Sequence, residues 1–299
     1  MLLRVLGTAA GGGIPQWNCA CPECTGARVH PPLRRRHAAL ALLTDDGCHL
    51  VNATPDIADQ IESAPELLPA PGTRATPLRG VLLTDAELDH TLGIARLRET
   101  DRLTVLATAP VHRALGEGLR LPDVLAPYAA VDWRELGTES MPVHPGAEVE
   151  VRAVPLSGKR PRYAAALPAG PNDGAWTVAL SFTDRGSGRS LLYAPALAAW
   201  PAAFDEALAT ADVVLVDGTF WDDAEPRRTG VSSRTSTEMG HLPVTGPHGT
   251  AERLAALPAR CLYTHLNNTN PMADPTGPEC RELAALGLEV AAEGMVIEL

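Results

Sequence analysis

Thr84-Asp85-Ala86-Glu87-Leu88-Asp89-His90 is the stretch from which the fold and chemistry of this 299-residue chain can be argued. An aliphatic run at residues 80–83 precedes it and predicts a buried strand, while residues 91–99 predict a helix after it. Polar side chains that follow a buried strand lie at the edge of a sheet, where functional groups collect on loops. Asp89 and His90 at the end of the run are therefore candidate metal ligands.

The composition indicates a globular protein with a large core. Hydrophobic residues make up 45% of the chain and aromatic residues only 4%, so the core must consist mainly of Ala, Leu and Val. The formal net charge of −11 argues against nucleic acid or an anionic membrane as the main partner. No apolar run approaches the roughly 20 residues that span a bilayer. Residues 2–6 resemble a strand and not a signal peptide, which predicts a cytoplasmic protein.

Strand and helix patterns alternate along the whole chain, without a repeat or a linker, so residues 1–299 are predicted to form a single domain. Strands are predicted at residues 2–6, 38–43, 49–53, 80–83, 103–107, 149–154, 176–182, 191–194, 213–217, 260–264 and 294–298. Helices are predicted at residues 56–63, 91–99, 110–119, 200–209, 247–257 and 278–286. Two sheets with helices outside both, or one doubly wound sheet, would each explain this α/β pattern.

A cluster of three cysteines indicates a second metal site. Cys19, Cys21 and Cys24 fall within six residues, and their spacing allows three thiolates to reach one tetrahedral Zn²⁺. A disulfide framework is not expected in a chain of this size without secretory signals. A redox-active thiol pair and unliganded core cysteines remain the alternatives. A structural zinc site is the favoured interpretation.

Four stretches carry a resemblance to a known family. They are Gly7-Thr8-Ala9-Ala10-Gly11-Gly12-Gly13-Ile14-Pro15-Gln16-Trp17-Asn18-Cys19-Ala20-Cys21-Pro22-Glu23-Cys24, Asn52-Ala53-Thr54-Pro55-Asp56-Ile57, Met239-Gly240-His241-Leu242-Pro243-Val244 and His265-Leu266-Asn267-Asn268-Thr269-Asn270-Pro271. Together they resemble the pyrroloquinoline quinone biosynthesis protein B family of the metallo-β-lactamase superfamily, over essentially the whole chain. The resemblance implies an α/β fold, the four-layer αβ/βα sandwich of that superfamily.

The same resemblance implies an unusual metal centre. Superfamily hydrolases carry His-x-His-x-Asp-His where this chain has Asp85 and Glu87 in place of the first two histidines. Residues 154–159 and 192–196 match the positions of a further His and a bridging Asp, and contain neither. A two-metal centre is therefore disfavoured. Asp89, His90 and His265 remain, and two imidazoles with one carboxylate form the facial triad of non-haem Fe(II) oxygenases.

The resemblance further implies an activity. We expect hydroxylation, dependent on Fe(II) and O₂, of a tyrosine-derived ring in a small Glu–Tyr substrate made from a peptide, during pyrroloquinoline quinone biosynthesis. Lys159-Arg160-Pro161-Arg162-Tyr163 is more highly charged than the family pattern, which leaves a related aromatic from another pathway open. The alternatives are a zinc-dependent hydrolase and a non-catalytic carrier or export factor for the quinone. A homodimer is left open.

Several polar residues are predicted to support this centre. Asp85 and Glu87 are predicted to orient a ligand imidazole or to act as acid and base, with a solvated acidic loop as the alternative. Asp217, at the end of an apolar strand, is predicted to orient a ligand His. Trp221 and His241 are candidate substrate contacts, although each could equally be a packed loop residue.

The sequence leaves the fourth ligand of the cysteine zinc site open. A related phosphodiesterase branch has a His three residues after its last active-site His, and the matching residue here is Asn268. Because Asn is a weak zinc ligand, water, His30 or His37 are alternatives.

Overall fold

The computed structural model describes residues 1–170 and 173–299. These residues form two seven-stranded sheets. The strands are β1 (Leu2–Gly7), β2 (Ala39–Thr44), β3 (Gly47–Val51), β4 (Leu78–Leu82), β5 (Arg102–Ala107), β6 (Ala130–Glu135), β7 (Met141–Pro142), β8 (Val149–Ser157), β9 (Thr177–Asp184), β10 (Ser190–Ala194), β11 (Val213–Asp217), β12 (Arg260–Thr264), β13 (Glu289–Val290) and β14 (Val296–Glu298).

Short helices connect the strands. The α-helices are α1 (Pro22–Val29), α2 (Ile57–Glu62), α3 (Leu88–Thr91), α4 (Ala109–Arg113), α5 (Leu121–Leu125), α6 (Ala202–Leu208), α7 (Glu225–Arg228), α8 (Ser236–Met239), α9 (Ala251–Ala255) and α10 (Pro278–Ala285). Single 3₁₀ turns or short 3₁₀ segments occupy Pro31–Leu33, Pro65–Leu67, Leu92–Leu97, Arg162–Ala164, Asp173–Ala175 and Pro271–Ala273, and a π turn occupies Ala114–Gly118.

The two sheets have the same plan. The first has the order β14-β1-β2-β3-β4-β5-β6 and the second the order β13-β12-β11-β10-β9-β8-β7. Each consists of three antiparallel pairings on one side and three parallel pairings on the other. Strands β4, β11 and β12 lie in the parallel halves. Their carboxyl ends are where an α/β sheet presents its functional loops.

Three hydrophobic clusters define four layers. One cluster lies between the sheets and includes Leu82, Leu180 and Leu262. A second joins the first sheet to helices through residues such as Ile57, and a third joins the second sheet to helices through residues such as Phe204. The four-layer αβ/βα sandwich expected from the resemblance is therefore confirmed, and the doubly wound single sheet is excluded.

The structure corrects several predicted elements. The helix predicted at 91–99 is a short α-helix, α3, followed by the 3₁₀ segment Leu92–Leu97. The helix predicted at 110–119 changes to a π turn after α4. Strand β6 was not predicted, since it lies at a sheet edge and all its residues are exposed or half-buried. By contrast, β11 and β12 have the predicted bounds. Within the described ranges, no helix has the length and apolar character needed to cross a membrane.

Candidate metal centre

Asp89, His90 and His265 meet at the edge formed by the carboxyl ends of β4 and β12. Asp89 Oδ2 lies 3.7 Å from Nε2 of His90 and 3.4 Å from Nε2 of His265. Both Nε2 atoms are buried, and neither has a hydrogen-bond partner in the described part of the chain. Because a buried polar atom without a partner is costly, two such atoms facing one carboxylate fit a bound metal ion. The donor set is the one predicted from the sequence.

Asp85 fixes the orientation of the His90 ring. Its carboxylate oxygens lie 2.8 and 2.9 Å from His90 Nδ1 and also accept hydrogen bonds from Thr84 Oγ1 and the Glu87 backbone N–H. A proton on Nδ1 leaves the Nε2 lone pair free for a metal, which is the usual role of a carboxylate behind a ligand His. Asp85 is buried, so the geometry favours orientation over direct proton transfer to a substrate.

Thr219 and Asp217 hold the His265 ring. Its Nδ1 lies 2.8 Å from Thr219 Oγ1, which in turn donates to Asp217 Oδ1 at 2.5 Å. The His265 backbone has φ of +60°, a left-handed conformation that non-glycine residues rarely adopt. Such strain persists where surrounding contacts over-determine it, often at functional sites. Thr219 was not among the predicted residues, because one Thr in Asp217-Gly218-Thr219 has no diagnostic spacing.

The electrostatic environment favours a cation at this position. Burial opposes a charge on His90, but the carboxylates of Asp85 and Asp89 raise the pKa of His90 to about 9. Burial likewise opposes the Asp89 carboxylate, yet the His90 and His265 imidazoles hold the pKa of Asp89 well below its ordinary value. A divalent ion can replace the proton on such a ligand set, since metal binding requires deprotonated ligands.

A second cluster, Asp217, His241 and His265, also has metal-ligand spacing. Its carboxylate is already fully engaged. Asp217 Oδ2 accepts hydrogen bonds from the Leu197 N–H at 2.7 Å and from His241 Nδ1 at 2.7 Å, and Oδ1 accepts from both the N–H and the hydroxyl of Thr219. A metal there would displace these buried bonds. Asp217 thus orients His241 directly and His265 through Thr219.

The triad lies on the wall of a cleft of about 780 Å³. Side chains of both signs and an aromatic ring share this wall, among them Glu87, Lys159, Arg162, Phe220 and His241. The position of His241 agrees with a substrate contact, and its Nε2 is the ring nitrogen that Asp217 leaves available. Burial and then Asp85 raise the pKa of Glu87. The proton-transfer role predicted for Glu87 stays a prediction.

The structure does not place Trp221 in the cleft. Its ring packs against the cluster between the second sheet and its helices, and Phe220, one residue earlier, lines the cleft instead. The backbone of Trp221 is fixed at both ends, since its N–H donates to Glu225 Oε2 and its C=O accepts from Thr245. Trp221 is thus not among the residues that line this cleft, and the substrate contact predicted for it stays a prediction.

Gly11 makes the close approach of the N-terminal loop to the triad possible. A Cβ at Gly11 would lie 3.3 Å from Asp89 Oδ2. The glycine-rich loop therefore allows the backbone to pass beside the ligand carboxylate.

The three cysteines form a compact site that Asn268 covers. Cys19, Cys21 and Cys24 have sulfur atoms within 4.8 Å of one another. The Asn268 side-chain amide lies 3.1, 3.6 and 3.5 Å from these sulfurs, with Nδ2 as the nearest atom. Rotation of the amide by 180° brings Oδ1 to the sulfurs, where this oxygen can serve as a ligand. The arrangement fits one tetrahedral zinc with Asn268 at the fourth corner.

The other proposed fourth ligands are elsewhere. His37 Nδ1 lies 3.1 Å from Asp56 Oδ2, and its Nε2 lies 3.3 Å from the Gly11 carbonyl. His30 follows the last residue of α1 and is exposed. Neither belongs to the group of possible metal ligands around the cysteines.

The fold and these two sites define a member of the metallo-β-lactamase superfamily. The model of the Beta-lactamase superfamily domain family matches residues 49–266, well over half of the chain. A diphosphatase from the PhnP family has a similar structure, with a TM-score of 0.69 and coverage of 100% of this chain and 97% of that one. Its identity is 18%, so this likeness concerns the fold alone.

Closer relatives give the particular family. The coenzyme PQQ synthesis protein B of Azoarcus sp. (strain BH72) is 43% identical over 309 residues, with complete coverage of both chains. The protein of the same name from Pseudomonas fluorescens (strain Pf0-1) is 39% identical over 306 residues, again with complete coverage. The crystal structure of Zn²⁺-bound PqqB from Methylobacterium extorquens has a TM-score of 0.89 and 31% identity and covers both chains completely. This chain belongs to the coenzyme PQQ synthesis protein B family.

Replacing Thr219 by Val should weaken metal binding in the cleft. The variant loses the acceptor that holds His265 Nδ1, and loss of such a supporting group weakens metal affinity about 10- to 100-fold. Chelator competition in the metal-loaded protein measures this. Thr264→Val is the matched control, because Thr264 Oγ1 is buried beside His265 without a hydrogen-bond partner among the described residues. Equal affinities of the two variants would contradict the role of Thr219.

Asn268→Ala should loosen the zinc held by the cysteines. The substitution removes the amide that covers the three sulfurs. Zinc retained per chain after dialysis against a chelator should fall, whereas Asn18→Ala, an exposed amide bonded only to Gln16, should keep it. Full retention of zinc in Asn268→Ala would mean that water or another group is the fourth ligand.

Glu225 predicts a pH-dependent stability. Its buried carboxylate accepts hydrogen bonds from the Trp221 N–H and Thr269 Oγ1, and burial raises its pKa from 4.5 to about 7. The folded state thus retains a proton that the unfolded state releases, so stability falls as pH rises from about 4.5 to about 7. Between pH 5 and pH 8, the free energy of unfolding of Glu225→Gln should therefore rise relative to that of wild type by up to about 3 kcal/mol. Urea titrations measure this, and a pH-independent difference would refute it.

Proposed function

We propose that this protein catalyses Fe(II)- and O₂-dependent hydroxylation of a tyrosine-derived aromatic ring during biosynthesis of pyrroloquinoline quinone. The relatives at about 40% identity named coenzyme PQQ synthesis protein B support the pathway. The observation that carries the chemistry is the triad itself. Two unpartnered imidazole Nε2 atoms face one carboxylate, and both rings are held by groups behind them.

Iron in this triad would keep open positions for O₂ and substrate and would supply electrons for O₂ reduction. The residues of the chain hold the site in place for this. Asp85 and Thr219 keep Nδ1 of the two histidines protonated and the rings fixed. His241, whose ring is partly exposed, lines the cleft where an aromatic substrate would lie, and the buried Phe220 ring supports it. Their rings are already packed edge to face, with centroids 6.2 Å apart.

The overall reaction must balance. Hydroxylation replaces a ring C–H by C–OH with one oxygen atom of O₂, and the second atom leaves as water. Two further electrons and two protons are needed, and we assign them to an external two-electron reductant, such as ascorbate in an assay. A metal that cannot change its oxidation state, such as Zn²⁺, cannot serve this reaction.

The hydrolase alternative has little geometric support. A second metal would need the Asp217 carboxylate, whose oxygens already accept four hydrogen bonds from three residues. The carrier alternative does not explain why two ligand histidines each have a dedicated hydrogen-bond partner. Each alternative nevertheless predicts a distinct experimental outcome.

The direct experiment is anaerobic loading with Fe(II), followed by addition of O₂, ascorbate and a peptide in which Glu and Tyr side chains are joined by a carbon–carbon bond. We expect substrate-dependent O₂ uptake and a product heavier by one oxygen atom. Asp89→Asn should lose at least about 100-fold of the rate, because a neutral ligand binds Fe(II) poorly. Asp222→Asn, which removes the ion pair of a half-buried carboxylate with Arg228 and keeps an amide oxygen for the Ala224 N–H, should not.

Three results would count against the proposal. An iron-replete protein that never consumes O₂ with tyrosine-derived substrates would exclude the oxygenase. Binding of two zinc ions in the cleft with phosphodiester cleavage would favour the hydrolase. Tight quinone binding that Asp89→Asn leaves unchanged, without turnover, would favour the carrier.

A further inference from the structure

Lys159 is the only lysine of the chain, and it lies in the cleft. The chain has 25 basic side chains, and all except Lys159 are arginines. Lys159 follows the end of β8 by two residues and lines the cavity that contains the metal triad. Every other Lys or Arg position of the chain carries a guanidinium, and only the position in the cleft carries an ammonium side chain. An ammonium differs chemically from guanidinium because it is a small, strongly hydrated charge with three rotatable donors.

Gly240, another residue of the cleft lining, leaves room for the Lys159 side chain. Gly240 has φ of +87°, and a Cβ there would lie 2.8 Å from Lys159 Cδ and 3.0 Å from both Cε and Nζ. Any side chain at 240 would therefore displace the end of Lys159. The Lys159 stem packs across the bare backbone of Gly240, in the Met239-Gly240-His241 turn that also carries a cleft histidine.

Two residues that follow Lys159, Arg160 and Tyr163, anchor its segment. Arg160 donates to Asp173 Oδ2 at 2.7 Å and to the Leu167 carbonyl at 2.8 Å. Its guanidinium also lies over the Trp176 ring. Tyr163 donates its hydroxyl to the Ala86 carbonyl at 2.6 Å, within the metal-ligand loop. Arg160 thus stabilises the segment and, like Lys159, Arg162 and Tyr163, lines the cleft.

The Lys159 ammonium has no carboxylate within 4.0 Å in the described ranges 1–170 and 173–299. Arg162, exposed on the same rim, also forms no ion pair there. Lys159 and Arg162 thus place positive charge without an ion-pair partner on the cleft wall of a protein of net charge −11, which favours an anionic ligand there.

We propose that Lys159 Nζ binds a carboxylate of an aromatic polycarboxylate substrate and thereby sets both its orientation and the selection of charged over neutral aromatics. This inference rests on the proposed function for the class of substrate. Arg162 at the rim supplies a second, more exposed cation for another carboxylate. In the alternative, Lys159 binds no substrate and only offsets the charge of Glu87, which lines the same cleft.

The single lysine makes a direct measurement possible. Reductive methylation with ¹³C-formaldehyde labels Lys159 Nζ and keeps its charge. The Met1 amine, which forms an ion pair with Asp184 away from the cleft lining, supplies an internal reference signal. In the zinc-loaded protein, pyrroloquinoline quinone with its three carboxylates should shift the Lys159 resonance and leave the Met1 resonance unchanged. The quinone trimethyl ester should shift neither. Lys159→Met assigns the signal.

Calorimetry on unlabelled protein supplies the energetic test. Lys159→Met should weaken binding of the tricarboxylate by about tenfold or more, since a charge-assisted hydrogen bond is lost. Binding of the trimethyl ester should not change. Arg74→Met removes an exposed charge elsewhere and should stay within about twofold of wild type, since distant exposed charges are largely screened.

Equal binding of the tricarboxylate to wild type and Lys159→Met, or a silent Lys159 resonance at saturation, would overturn the proposal. Failure of the tricarboxylate to bind would overturn it as well. These readouts are independent of turnover. A shifted Lys159 resonance without O₂ consumption would support this inference and contradict the hydroxylase proposal. O₂ consumption with an unshifted Lys159 resonance would support the hydroxylase proposal and contradict this inference.

Discussion

The structure depends on the hydrogen bonds that hold two buried histidines with their Nε2 atoms toward one carboxylate. His90 is held by Asp85, and His265 by Thr219 with Asp217 behind it. The partners come from the ends of different strands in different sheets, so the two sheets must close to bring them together. The packing of the two sheets against each other thus positions the candidate metal site. The buried Asp85, Asp217 and Thr219 are tolerated at this edge because the hydrogen bonds of the network satisfy them.

The same edge also connects the two candidate metal sites. The loop after β12 supplies His265 to the triad and, three residues later, Asn268 to the cysteine cluster. One loop therefore contributes to both sites. The zinc proposed between α1 and this loop would fix the position of His265 from outside the cleft. A structural ion and a reactive ion would then be coupled through a few residues of backbone.

Part of this could be predicted from the sequence. The loop that carries Asp89 and His90 follows a strongly apolar strand, and His265 follows another, so sequence position alone predicted that they lie at a sheet edge. Helix lengths were less predictable. Residues 91–99 have helical periodicity but tighten into a 3₁₀ segment after the ligand His90, which shows that tertiary contacts override local preference.

The supporting groups could not be predicted as well. Thr219 and Glu225 are single polar residues whose roles arise from contacts across 46 and 44 positions of the chain. Spacing carries no signal for such contacts. Trp221 illustrates the same limit, because its packing against the cluster between the second sheet and its helices depends on the folded chain. The sequence shows that the segment of Lys159 is more highly charged than the family pattern, but the packing of Lys159 against Gly240 is seen only in the folded chain.

The central claim is that the cleft holds one redox-active ion bound by two imidazoles and one carboxylate. Iron K-edge X-ray absorption on the anaerobic Fe(II)-loaded protein tests it most directly. We expect a single shell of nitrogen and oxygen ligands with the outer-shell scattering of two imidazoles, and no second metal. A metal–metal distance of about 3.5–4 Å, the signature of a two-metal hydrolytic centre, would contradict it.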